Sequence, residues 1–67
     1  MDRIDQIARN ELMTHDEARV VVDYLYPPAA PTSLKDNLTA ISLIRQIAVL
    51  YSVTFETAVS TLRSKYL

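Results

Sequence analysis

Apolar side chains recur at helical spacing in four separate runs of this chain, and each run opens just after an Asp, Ser or Thr. In the first, Ile4, Ile7, Ala8 and Leu12 fall near one face, with Asp2 placed as N-cap and Asp5 four residues ahead of Arg9. This predicts a helix over about 3–13. Thr14-His15-Asp16-Glu17 then reads as a capping box: the threonine hydroxyl accepts from the Glu17 amide while the Glu17 carboxylate reaches back, and Met13 can staple to Ala18. A second helix follows over about 15–26, with Ala18, Val21, Val22 and Leu25 as its core stripe. With only Thr14 between them, the first two helices should meet at a steep corner rather than close into an antiparallel hairpin.

Pro27-Pro28 stops the second helix, since each ring removes an amide donor and disfavours α geometry at the residue before it. Residues 27–33 form a Pro-rich connector, and Ser33-Leu34-Lys35-Asp36 is a weaker box opening the longest helix, about 34–51. Its apolar arc is broad. Leu34, Leu38, Ile41, Ile44 and Ala48 make one stripe, and Ala40, Leu43, Ile47 and Leu50 an adjacent one. Such a helix needs cover on more than one side, which points to it as the central element. Thr54 caps a last helix over about 55–66, whose stripe is Phe55, Ala58, Val59, Leu62 and Tyr66. No internal repeat at a fixed period stands out, so the expectation is one all-α domain over 1–67: an orthogonal four-helix bundle with a sharp corner between its last two helices.

Composition sharpens this picture. No glycine occurs among the 67 residues. Glycine serves positions where φ turns positive, so its absence argues against tight hairpins, phosphate-cradling loops and Schellman helix ends. A domain this short buries only about 60% of the surface its unfolded chain exposes. With no cysteine, neither a disulfide nor a thiolate–metal staple can compensate. Apolar residues make up 49% of the chain, a surplus that suggests a partner surface. The N-terminus lacks a secretory signal and no run approaches the length of a membrane span, which implies a cytoplasmic protein, and the initiating methionine favours a whole gene product.

Residues 46–63 resemble the helix-turn-helix unit of bacterial and phage transcription regulators. The small Ala48 stands where the second helix crosses the first, Val53 just after the turn, Thr54 at the hydroxyl N-cap, and Ala58 and Leu62 on the inner face. Where the family usually has glycine this chain departs from it with Ser52, which makes a left-handed turn position more costly. The resemblance implies a dimeric DNA-binding regulator with Thr57, Ser60, Thr61, Arg63 and Lys65 as contacts. The charges pull the other way. Seven cations stand against eight anions, and the groove-facing surface offers hydroxyls and Glu56 but no side chain for bidentate base contacts.

Other chemistry is sparse. His15, the sole histidine, has no cysteine or second histidine to complete a metal set and no nucleophile nearby in sequence, so neither metal, cofactor nor catalysis is expected. Pro28-Ala29-Ala30-Pro31 has the loose spacing of a polyproline ligand but serves equally as a rigid connector. Four tyrosines and no tryptophan suit half-buried rims and interfaces. Val20, Tyr24, Val49 and Tyr51 lie beside the core stripes and are the candidate interface. The sequence therefore favours a non-enzymatic protein-interaction or regulatory module that presents an apolar and tyrosine surface to a protein partner, first of all to itself, with DNA binding as the alternative.

Overall fold

The computed structural model describes residues 2–67, and it is all-α, with no strand among them. Four helices follow in order: α1 (Arg3–Asn10), α2 (His15–Leu25), α3 (Leu34–Leu50) and α4 (Phe55–Lys65). Every one starts where a short polar side chain can accept from the first turn. Asp2 accepts from the Asp5 amide, Thr14 from Glu17, Ser33 from Asp36 and Thr54 from Thr57. At Thr14 the box is complete, because the Glu17 carboxylate accepts the Thr14 amide at 2.9 Å.

The core gathers Ile7 from α1, Ala18, Val21 and Leu25 from α2, Ile44, Ile47 and Ala48 from α3, and Ala58, Leu62 and Tyr66 from α4 and its end. α2 packs against each of the other three helices and is the hub, a role the sequence pattern assigns to the third helix. The difference follows from what each helix leaves bare. α3 buries Ala40, Ile44, Ile47 and Ala48 along the centre of its arc, but Leu34 is 74% exposed, and Leu38, Val49 and Leu50 are also exposed. The broad apolar arc is therefore covered in the middle and uncovered on both flanks.

The first helix ends three residues earlier than its periodicity predicts. Leu12 adopts φ 55°, Glu11 bonds back to the Ile7 carbonyl, and the Met13 amide donates to the Ala8 carbonyl at 3.1 Å. Leu12 consequently leaves the core face and is 91% exposed. α3 closes in the same way: Ser52 has φ 56°, its amide donates to the Val49 carbonyl, and the Val53 amide reaches the Ala48 carbonyl at 2.9 Å. Both ends are Schellman closures built without glycine, contrary to the expectation from composition. Holding an L-residue in the left-handed region costs roughly 1–2 kcal/mol. The closures satisfy terminal carbonyls and let the N-cap of the next helix follow two residues later.

These matching corners expose a repeat that the sequence pattern conceals. Shifted by 40 residues, Ile4-Asp5-Gln6-Ile7-Ala8 falls on Ile44-Arg45-Gln46-Ile47-Ala48, and Thr14, Ala18 and Tyr26 fall on Thr54, Ala58 and Tyr66. The shared residues are those that make the corner: the buried isoleucine and alanine, the N-cap, the crossing alanine and the closing tyrosine. The chain is thus one helix–corner–helix unit used twice, joined by the exposed residues 27–31. α3 and α4 meet at 96°.

Candidate functional site

Residues at which the two units differ define the surface. Where the first unit carries Arg9, Asn10 and Glu11, the second carries Val49, Leu50 and Tyr51. The corner forms with either set, so the apolar residues of the second unit are not required by its fold. Leu50 and Tyr51 are exposed, and Val53 is more than a third exposed. A groove of about 280 Å³ runs between the end of α3 and α4, lined by Ile47, Tyr51, Val53, Ala58, Leu62 and the stem of Lys65. Beside it a second groove of about 200 Å³ is walled by Leu12, Met13, Leu43 and Leu50. Glu11 and Ile47 line both, so the two grooves form one continuous face.

Glu11 organises this face from beneath. Its side chain is only 3% exposed and accepts from Lys65 Nζ at 3.0 Å, from the Tyr66 hydroxyl, and at longer range from the Tyr51 hydroxyl at 3.4 Å. A carboxylate so buried is tolerable only with a cation and hydrogen bonds to replace water. In return Tyr66 is pushed above the usual tyrosine range, chiefly by burial and then by its bond to Glu11. Lys65 is raised above the usual lysine range, chiefly by its hydrogen bond to the same carboxylate. The cluster joins the C-terminus of α1 to the C-termini of α3 and α4, which the acidic first half and basic second half of the sequence make electrostatically favourable.

A second lacework ties α2 to α4. The Tyr26 hydroxyl donates to the Arg63 carbonyl at 2.9 Å, and Arg63 Nε donates to the Leu25 carbonyl at 3.2 Å. Arg3 stacks over the Tyr26 ring at 4.0 Å and donates through Nε to the Tyr66 carbonyl at 2.8 Å.

The four interface candidates separate. Val20 is 3% exposed and belongs to the interior, because α2, packed on three helices, buries a wider arc than its single predicted stripe. Tyr24 is half-buried and meets Phe55 edge to face at 6.3 Å between ring centres, a rim contact of the core. Tyr51 edges the groove described above. Val49 is 75% exposed but shares the opposite flank of α3 with Leu34 and Leu38. Leu12 and Leu50 were concealed by the assumption that every apolar residue at helical spacing faces inward, and Glu11 by its long-range partners.

The candidate DNA contacts also separate. Thr57, Ser60 and Thr61 are exposed on α4. Arg63 and Lys65 carry the intramolecular bonds to Leu25 and Glu11, so engaging a phosphate would mean giving up or sharing them. His15 stands on the surface 3.4 Å from Asp5, and no cluster of three metal-ligating side chains occurs among the described residues. Among the described residues no single helix is long and apolar enough to cross a membrane.

The fold and its surface define a small all-α bundle of two like corners with an apolar face at their junction. Comparison with known protein families, curated proteins and solved structures finds no match.

Proposed function

We propose that this chain is a non-enzymatic protein-interaction module that associates with itself through the face formed by Leu12, Leu50, Tyr51 and Val53. The observation that carries this reading is the apolar character of Leu12, Leu50 and Tyr51, whose equivalents Ser52, Asn10 and Glu11 are polar. Contiguous exposed apolar surface is unusual on a monomer and marks interaction sites. Burying it also supplies the stability that so short a chain lacks on its own. Sedimentation velocity should show the weight-average coefficient rising toward a dimer between about 10 and 500 µM, the affinity range of modest interfaces. A monomer throughout that range overturns the reading.

A dimeric helix-turn-helix regulator is the second reading, favoured by the 96° angle between α3 and α4 and by the hydroxyl-rich outer face of α4. It draws no support from charge. An electrophoretic shift with nonspecific duplex at about 50 mM salt tests it, because electrostatic affinity is strong there. Absence of a shift removes it.

A further inference from the structure

The geometry points to a second copy of this chain as the occupant of the Tyr51–Leu62 groove, with Leu12 of each copy inserted into the groove of the other. This deepens the self-association reading and rests on it. A two-fold interface uses the same patch on both partners, so a projection and a recess must lie side by side on one face. Here they do. Leu12 projects from the corner between α1 and α2, and the 280 Å³ recess lies next to it, the two sharing Glu11 and Ile47 at their boundary.

Three further observations single out Leu12 and a like partner. Leu12 is a large apolar side chain at 91% exposure on a left-handed backbone, φ 55°. Folding gains nothing from a leucine there; asparagine or glycine would hold that geometry with less strain. The recess has room for an aliphatic side chain, and its walls at Ile47, Val53 and Leu62 are apolar.

Charge completes the match. A face that meets its own copy repels itself unless it is close to neutral. The acid and the base lining the recess, Glu11 and Lys65, are paired with each other at 3.0 Å, so the recess that receives Leu12 carries no net charge, and Glu17 stands apart on the wall of the adjoining groove. An interface at the lower limit for specific association buries about 500 Å² on each partner. That is roughly a ninth of the 4490 Å² surface.

Sedimentation equilibrium on the full chain and three variants tests this. Leu12→Asn removes the projection while keeping a residue suited to a positive φ. It should weaken dimerisation by about tenfold or more, yet raise the melting temperature at concentrations where both proteins are monomeric. Thr61→Trp, on an exposed α4 residue at the rim, fills the recess and should weaken dimerisation to a similar degree. Val49→Ser, on the opposite flank of α3, should leave it unchanged. If the parent chain dimerises and neither Leu12→Asn nor Thr61→Trp weakens it, the insertion is wrong while self-association stands. If Val49→Ser alone breaks the dimer, the partner sits on the other flank. A parent chain that stays monomeric overturns both this inference and the reading beneath it.

Discussion

Glu11 and Tyr66 are 55 residues apart in the chain, and the tyrosine hydroxyl donates to the carboxylate. That bond joins the corner of the first unit to the end of the second across a helix pair, α1 and α4, that makes no close backbone contact. The ammonium of Lys65 donates to the same oxygen, so the buried carboxylate has a cation and a hydrogen-bond donor in place of water.

Glu11→Ala should therefore cost about 2 kcal/mol or more, because it leaves the buried Tyr66 hydroxyl without its acceptor. Glu11→Gln keeps an acceptor and loses only the charge, so it should cost about half as much. Urea denaturation followed by circular dichroism measures both. Equal losses would show that the charge, not the hydrogen bond, matters.

Alkaline pH should loosen the same cluster. Tyr66 and Lys65 both hold their protons more tightly in the folded chain than in the unfolded one. Their contribution is complete below the unfolded values, near pH 10, and disappears as the pH climbs through the raised folded values. The melting temperature should stay level from about pH 7 to 9 and fall above about 10. In Glu11→Gln, which removes the carboxylate acting on both groups, that fall should be shallower; an unchanged slope would place the alkaline sensitivity elsewhere.

Ser52→Gly should stabilise the fold by about 0.5–1 kcal/mol, since glycine adopts the φ of 56° without steric cost, less its greater entropy when unfolded. Thermal melting gives the sign directly. A destabilised variant would mean that the serine side chain makes up for its strained backbone.

Cap removal weighs the two corners against each other. Thr54→Ala loses the bond from the Thr57 amide together with the exposed hydroxyl–hydroxyl bond to Thr57, and should cost about 1 kcal/mol. Thr14→Ala removes only the bond from the Glu17 amide and should cost about the same, because the reciprocal bond to the Glu17 carboxylate comes from the backbone amide of residue 14, which alanine keeps; the double change Thr14→Ala with Glu17→Ala removes both and should cost up to about 2 kcal/mol. Matched chemical denaturation curves settle the order, and a double variant no less stable than Thr14→Ala alone would deny the second bond of the box any value.

The helices themselves were legible because their signals are local. Asp2, Thr14, Ser33 and Thr54 each act within three residues of themselves, and Pro27 blocks continuation wherever the rest of the chain goes. The corners were harder to read. Periodicity carries Leu12 past the true end of α1, and nothing in an isolated leucine announces a positive φ. The repeat escaped notice because the surface residues of the two units diverge, Arg9 to Val49 and Glu11 to Tyr51, while the matching ones are few and scattered. Val20 looked peripheral on a single-stripe view of α2, which fails for a helix packed on three sides. Of the candidate face, Tyr51 was readable as an amphipathic rim residue. Glu11 was not, because what makes it informative lies 40 to 55 residues away.

The hydrogen bond from Arg3 to the Tyr66 carbonyl, at 2.8 Å, brings the beginning of the first unit against the close of the second. A short flexible bridge from residue 67 back to residue 2, combined with a cut in the solvated prolines at 27–31, would rearrange the helices into the order α3, α4, α1, α2. Since the two halves share their corner geometry, such a circular permutant should refold to the same globule, with its former hinge as loose new termini.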